Sequence, residues 1–144
     1  MRTTLINGRL VLPDEIWEHG YVVIEDGKIA ALGKGDPEEP LSGEVIDARS
    51  YYISPGFIDL HTHGAGGADF MDATVDAYLT IAETHARYGT TALLPTTLTC
   101  PDEELFHMFD IYREAKARNT KGAQFLGIHL EGPYFAYSQR GAQD

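Results

Sequence analysis

A spacing limits this chain's folding options more than any single motif does. Three apolar runs, "GFIDLHTH", "TTALLPTT" and "GAQFLGIHLEGP", recur so that Phe57, Thr91 and Phe125 take matching places 34 residues apart. Helix patterns separate them. "DATVDAYLTIAETHARYG" sets Val75, Tyr78, Leu79 and Ala82 on one stripe and closes at Gly89. "PDEELFHMFDIYREAKARN" has Pro101 in its first turn, acidic residues at its start and basic ones at its end, the distribution the helix dipole favours. The sum is a βαβαβ run, with right-handed crossovers and a parallel sheet. The units share almost no sequence, so the repeat is one of structure.

Residues from about 3 to 54 read differently. "TLINGRLVL" and "GYVVIEDGKIAALG" alternate or cluster β-branched residues around turn signals, and Asp26-Gly27 predicts a hairpin. "GKGDPEEPLSGE" is a polar loop. The expectation is a small β-layer of local hairpins whose edges need another segment to pair with.

Composition narrows the function classes. At 144 residues and 43% hydrophobic content, the chain suffices for one ordinary domain or parts of two. A net charge of −11 disfavours nucleic acid and anionic membranes, and an anionic substrate would need a local basic pocket. The single cysteine, Cys100, cannot form an internal disulfide, which fits a reducing compartment, and it reads as a small buried residue. The start, "MRTTLINGRLVLPDE", lacks the apolar core of a signal peptide, and no stretch approaches the ~20 apolar residues of a membrane span. A soluble, cytoplasmic protein is expected.

Applied along the strands, the same offset sets His61, Pro95 and His129 at one level, with His63, Thr97 and Glu131 at the next toward the C-terminal ends. Catalytic groups of parallel α/β folds gather at that end. Side chains alternate along a strand, so His61 shares a face with His63, and His129 with Glu131. Two imidazoles and a carboxylate suit a divalent ion that keeps positions open for water; such an ion acidifies water and polarises a carbonyl. The competing reading of His-x-His alone is a solvated loop end, and Glu131 in register weighs against it. "GAGG", residues 64–67, lets the backbone turn sharply and approach a ligand closely. His129 fits equally a group supporting the site and a hydrogen-bonded core histidine. Asp59 fits either a supporting or a structural role lower on the strand. His19, His85 and His107 read as surface or packing residues, Trp17 and the tyrosines as packing groups, and Gly132-Pro133 as the end of the third strand.

At "PGFIDLHTHGAGG", "GTTALLPTT" and above all "HLEGPYFAYSQRGAQD", the chain resembles the N-terminal part of the N-acetylglucosamine-6-phosphate deacetylases of the amidohydrolase superfamily, over nearly its whole length. The resemblance implies an α/β fold: residues 1–54 as the first part of a small β-sandwich, and residues 55–144 as the first three strands of a metal-dependent (β/α)8 (TIM) barrel. It implies hydrolysis of the acetamide of N-acetylglucosamine 6-phosphate to glucosamine 6-phosphate and acetate, in cytoplasmic amino-sugar catabolism, by a homo-oligomer when full length. By the same resemblance Glu131 is a metal ligand, and His61 and His63 match a His-x-His that some members replace. Either one or two divalent ions are then expected, Zn first, with Fe, Co and Mn able to use the same ligands. Ala142 and Gln143 fall where the family contacts the sugar. The second of these places often holds a histidine or another residue, which leaves Gln143 open to an ordinary loop role. The family's catalytic aspartate, two further metal-binding histidines and most phosphate contacts lie downstream of these 144 residues.

A barrel needs about 250 residues, and 90 follow Ser54. Exposed edges and an open apolar face are therefore expected, whether the chain is a fragment or a truncated product. Two other readings stand beside the deacetylase: a cyclic-amide or N-acyl amino acid hydrolase, and a non-catalytic chain that associates through its open edges.

Overall fold

The structure, a computed structural model, describes residues 1–143. The chain forms two compact units, Met1–Pro55 and the residues from Gly56 onward. No helix among the described residues is long and apolar enough to cross a membrane.

The first unit is one sheet of strands β1 (Arg2–Val11), β2 (Ile16–Glu25), β3 (Lys28–Lys34), β4 (Glu44–Asp47) and β5 (Tyr52–Ile53). Asp26 (φ +50) and Gly27 (φ +77) join β2 to β3 in a two-residue turn with both central residues left-handed, which matches the twist of the flanking strands. β4 and β5 both run parallel to β1, so this layer is not built of local hairpins alone. A parallel return needs a crossover rather than a tight turn, and the Pro-rich segment 35–43 supplies it. Asn7-Gly8, a pair suited to turning a hairpin, instead forms a bulge within β1: Asn7 is left-handed (φ +56) and the pairing with β2 slips on either side of Gly8. A side chain at Gly8 would collide with Ile53, which lies across it. Leu10, Val22 and Val23 are buried, yet Leu10, Val22, Ile24, Ile29, Leu32 and Ile53 also line an open apolar groove of about 210 Å³.

The second unit contains β6 (Phe57–Thr62), the short ribbon β7 (Gly64–Ala65) and β8 (Ala68–Asp69), α1 (Val75–Arg87), β9 (Thr90–Pro95), α2 (Asp102–Arg118) and β10 (Gln124–Phe125). β6, β9 and β10 form a parallel sheet with β9 central. Thr74 caps α1 by accepting the Ala77 N–H, and Gly89 (φ +93) takes the left-handed turn after it. Tyr78, Ile81 and Ala82 form its buried stripe, while Val75 and Leu79 are only half-buried. α2 opens after Pro101 with Asp102, Glu103 and Glu104 in its first turn and carries Lys116 and Arg118 in its last. Both helices pack one face onto the sheet, around Phe70, Tyr78, Ile81, Leu93, Ala115 and Phe125. Phe70 meets Tyr78 edge to face, with ring centroids 4.8 Å apart.

Gly122 shows how tightly β10 enters this core. A Cβ there would stand 2.5 Å from Ala82 Cβ and 2.7 Å from the Glu83 backbone nitrogen, so only glycine lets the chain pass over α1. The adjacent Ala123 N–H donates to the Ala82 carbonyl at 2.9 Å.

The third strand is shorter than the spacing predicts, and its register differs. β10 ends at Phe125; the Leu126 N–H still donates to the Leu93 carbonyl at 3.1 Å, and the chain next pairs at an isolated bridge between His129 and Thr96, just past β9. Phe125 pairs with Leu93 and Leu93 with Asp59, whereas Phe57 pairs with Thr90. Irregularities between Phe57 and Ile58, and between Asp59 and Thr62, shift the ladder, so Thr62 rather than His61 faces Pro95. β6 is an edge strand with Phe57, Ile58 and Leu60 all exposed.

Candidate metal centre

β6 ends at Thr62, so His61 stands on its last turn of pleat and His63 just beyond, on the same side. Glu131 arrives from the segment after the Thr96–His129 bridge and is followed at once by a left-handed Gly132 (φ +95) that turns the chain away. Despite the shifted register, the three side chains converge. Glu131 Oε2 lies 2.9 Å from His61 Nε2 and 3.1 Å from His63 Nε2, and the two ring nitrogens are 3.3 Å apart.

These separations are compatible with one shared ion. Two ligand atoms each about 2.0–2.1 Å from a tetrahedral Zn²⁺ are roughly 3.3 Å apart. Two nitrogens and one oxygen this close to one another can share one cation, which needs no proton between each pair. Among the described residues, His61, His63 and Glu131 are the group of three so placed. His61 is half-exposed and the other two more enclosed, so the point they share is open to solvent on one side.

Thr96 ties the strands together beneath this cluster, a role the sequence reading missed. Fully buried, its Oγ1 accepts the Thr62 N–H at 3.0 Å and donates to the Leu94 carbonyl at 3.3 Å. His129 Nδ1 lies 3.4 Å from the same oxygen, and its ring packs edge-on against His61 with centroids 4.7 Å apart. His129 thus sits beside the cluster and against the core at once. Asp59 accepts the His61 backbone N–H at 3.1 Å, bracing the strand rather than reaching the cluster. His85 Nε2 lies 3.2 Å from Thr62 Oγ1, so it packs against the strand end, and His107 is exposed on α2.

Gln143 is not a free loop residue. Its Nε2 donates to Glu131 Oε1 at 3.0 Å, and its Oε1 accepts the Thr99 N–H at 2.9 Å. Ala142, beside it, is exposed. Cys100 is half-buried rather than fully buried; burial first, then Glu104 and Asp102, pushes its thiol up, which favours the neutral form.

The amidohydrolase family pattern matches residues 52–144, the stretch that contains this parallel α/β unit, its His-x-His and Glu131. The chain belongs to the amidohydrolase family. It is 38% identical to the N-acetylglucosamine-6-phosphate deacetylase of Bacillus subtilis (strain 168) over 137 residues, 93% of this chain and 35% of that protein. It is 35% identical to the N-acetylgalactosamine-6-phosphate deacetylase of Escherichia coli O157:H7, over 97% of this chain and 36% of the relative. The crystal structure of N-acetylglucosamine-6-phosphate deacetylase from Pasteurella multocida superposes with a TM-score of 0.90 at 29% identity, covering 100% of this chain and 38% of that one. A mutant of the Mycobacterium smegmatis deacetylase, solved in complex with N-acetyl-D-glucosamine-6-phosphate, superposes with a TM-score of 0.80 at 28% identity, covering 100% and 35%. The chain spans about a third of the length of the curated relatives it matches.

Proposed function

We propose that the protein to which these residues belong removes the acetyl group from N-acetylglucosamine 6-phosphate, yielding glucosamine 6-phosphate and acetate in cytoplasmic amino-sugar catabolism. The observation that carries the proposal is the convergence of His61, His63 and Glu131 within 3.3 Å of one another, in a chain similar throughout to deacetylases of this class. On this reading residues 1–54 contribute to a β-sandwich, and residues 55–144 supply the first three strands of a (β/α)8 barrel. The exposed apolar edge of β6 and the open groove of the first unit support it, since both are surfaces that further strands would cover. The protein acts as a homo-oligomer.

Glu131, His61 and His63 hold a divalent ion, Zn²⁺ by preference from the donor set and spacing, and the two histidines leave room for a second. A bound divalent ion supplies Lewis acidity toward the acetamide carbonyl and a more acidic water. The chain's own residues fix where that chemistry happens: Thr96 and Asp59 hold the backbone that carries His61, His129 packs against its ring, and the loop with Ala142 and Gln143 faces the sugar.

Acetate release by the intact protein, compared across substrates, tests the proposal. N-acetylglucosamine 6-phosphate is expected to be the best, ahead of N-acetylgalactosamine 6-phosphate, the substrate named for one relative. Hydantoins and N-acyl amino acids should be turned over at least about 10²-fold less efficiently, because a site that pairs polar groups with a sugar phosphate leaves them unpaired with those substrates. Faster turnover of either of the latter would overturn it.

A further inference from the structure

We infer that Gln143 is a positioning residue for the metal centre: it holds Glu131 with one carboxylate oxygen turned toward His61 and His63, and thereby sets the affinity for a divalent cation. The inference rests on reading those three residues as metal ligands. The two oxygens of Glu131 have different partners. Oε2 is the atom close to both ring nitrogens, while Oε1 points away and accepts from Gln143 Nε2 at 3.0 Å.

The amide is itself anchored. Its oxygen accepts the Thr99 backbone N–H at 2.9 Å, so the nitrogen must face the carboxylate; the flipped amide would set donor against donor and acceptor against acceptor. Gln143 therefore links Glu131 to the backbone of the segment that leads from β9 to α2. The terminal torsion of a glutamate is soft, and without this contact the carboxylate would have to be ordered when the ion binds. A hydrogen bond to an ionised acceptor is also stronger than a neutral one. One amide hydrogen and one lone pair remain for a sugar hydroxyl, so positioning does not exclude substrate contact.

The test measures Zn²⁺ affinity by chelator competition on the intact protein, together with KM for the amino-sugar phosphate. Gln143→Met keeps the side chain's length and removes both hydrogen bonds, and it is expected to weaken Zn²⁺ binding about 10–100-fold. Gln143→His, whose neutral ring also offers one donor and one acceptor, is expected to bind Zn²⁺ more tightly than Gln143→Met. Unchanged Zn²⁺ affinity in Gln143→Met with a raised KM would overturn the inference and leave Gln143 a sugar contact only. Glu131→Ala separates the two levels of the account: retention of Zn²⁺ there would overturn the ligand assignment itself, whereas its loss alongside a normal Gln143→Met would overturn only the role given to Gln143.

Discussion

Glu131→Ala is expected to abolish both divalent-metal retention and amide hydrolysis by the intact protein, lowering kcat/KM by more than about 10³-fold. The Lewis acidity of an active-site ion contributes several kcal/mol to a hydrolytic transition state, and each 1.36 kcal/mol is tenfold in rate. Glu131 is the cluster's one carboxylate, and its Oε2 lies within 3.1 Å of each histidine ring nitrogen. Its removal takes away the cluster's one carboxylate and leaves the ion without the negatively charged ligand this segment supplies. Metal content measured on the purified variant, alongside acetate release, checks this. A variant that keeps its metal and its activity would show that Glu131 is an ordinary surface carboxylate.

Phe70→Ala is expected to destabilise the second unit by about 3–5 kcal/mol, the usual cost of deleting a fully buried phenyl ring and leaving a cavity. Phe70 has no exposed surface and meets Tyr78 and Phe125 at centroid distances of 4.8 and 6.4 Å, so neighbours locked in the same cluster cannot collapse into the space. A domain with 5–15 kcal/mol of total stability would lose a large share of it. Phe106, 60% exposed on α2, is the matched control, with an expected change within about 0.5 kcal/mol. Urea midpoints for the two variants measure the contrast, and equal shifts would mean that Phe70 is not central to the core.

The parts of this molecule legible from sequence are those set by local chemistry. Asp26-Gly27 permits left-handed backbone at two successive residues, and the hairpin follows. The apolar stripe of α1, and the Pro101 start and opposed end charges of α2, are local signals, so their positions were readable to within a few residues. What sequence could not show depends on pairing between distant segments. The parallel return of β4 and β5 onto β1, and the bulge that turns Asn7-Gly8 from a hairpin signal into a kink, are decided by what packs alongside, Ile53 over Gly8 among them.

The side chains of His61, His63 and Glu131 meet although the register differs from the one the spacing predicts. His61 and His63 share a side of the chain wherever the strand pairs, and the one-residue slips at the two interfaces add to two, an even shift that keeps Glu131 on the same face. Thr96 and the bonds of Gln143 were illegible for the opposite reason. Their partners lie 33 to 44 residues away for His129, Thr62 and the Thr99 N–H, and a threonine or glutamine in a loop carries no periodic signal.

Anomalous diffraction from crystals of the intact protein, collected across the Zn absorption edge, tests whether His61, His63 and Glu131 bind one divalent ion. A peak is expected about 2.0–2.2 Å from His61 Nε2, His63 Nε2 and a Glu131 carboxylate oxygen. A metal-containing protein whose peak lies among other residues, with these three side chains apart from it, would contradict that assignment.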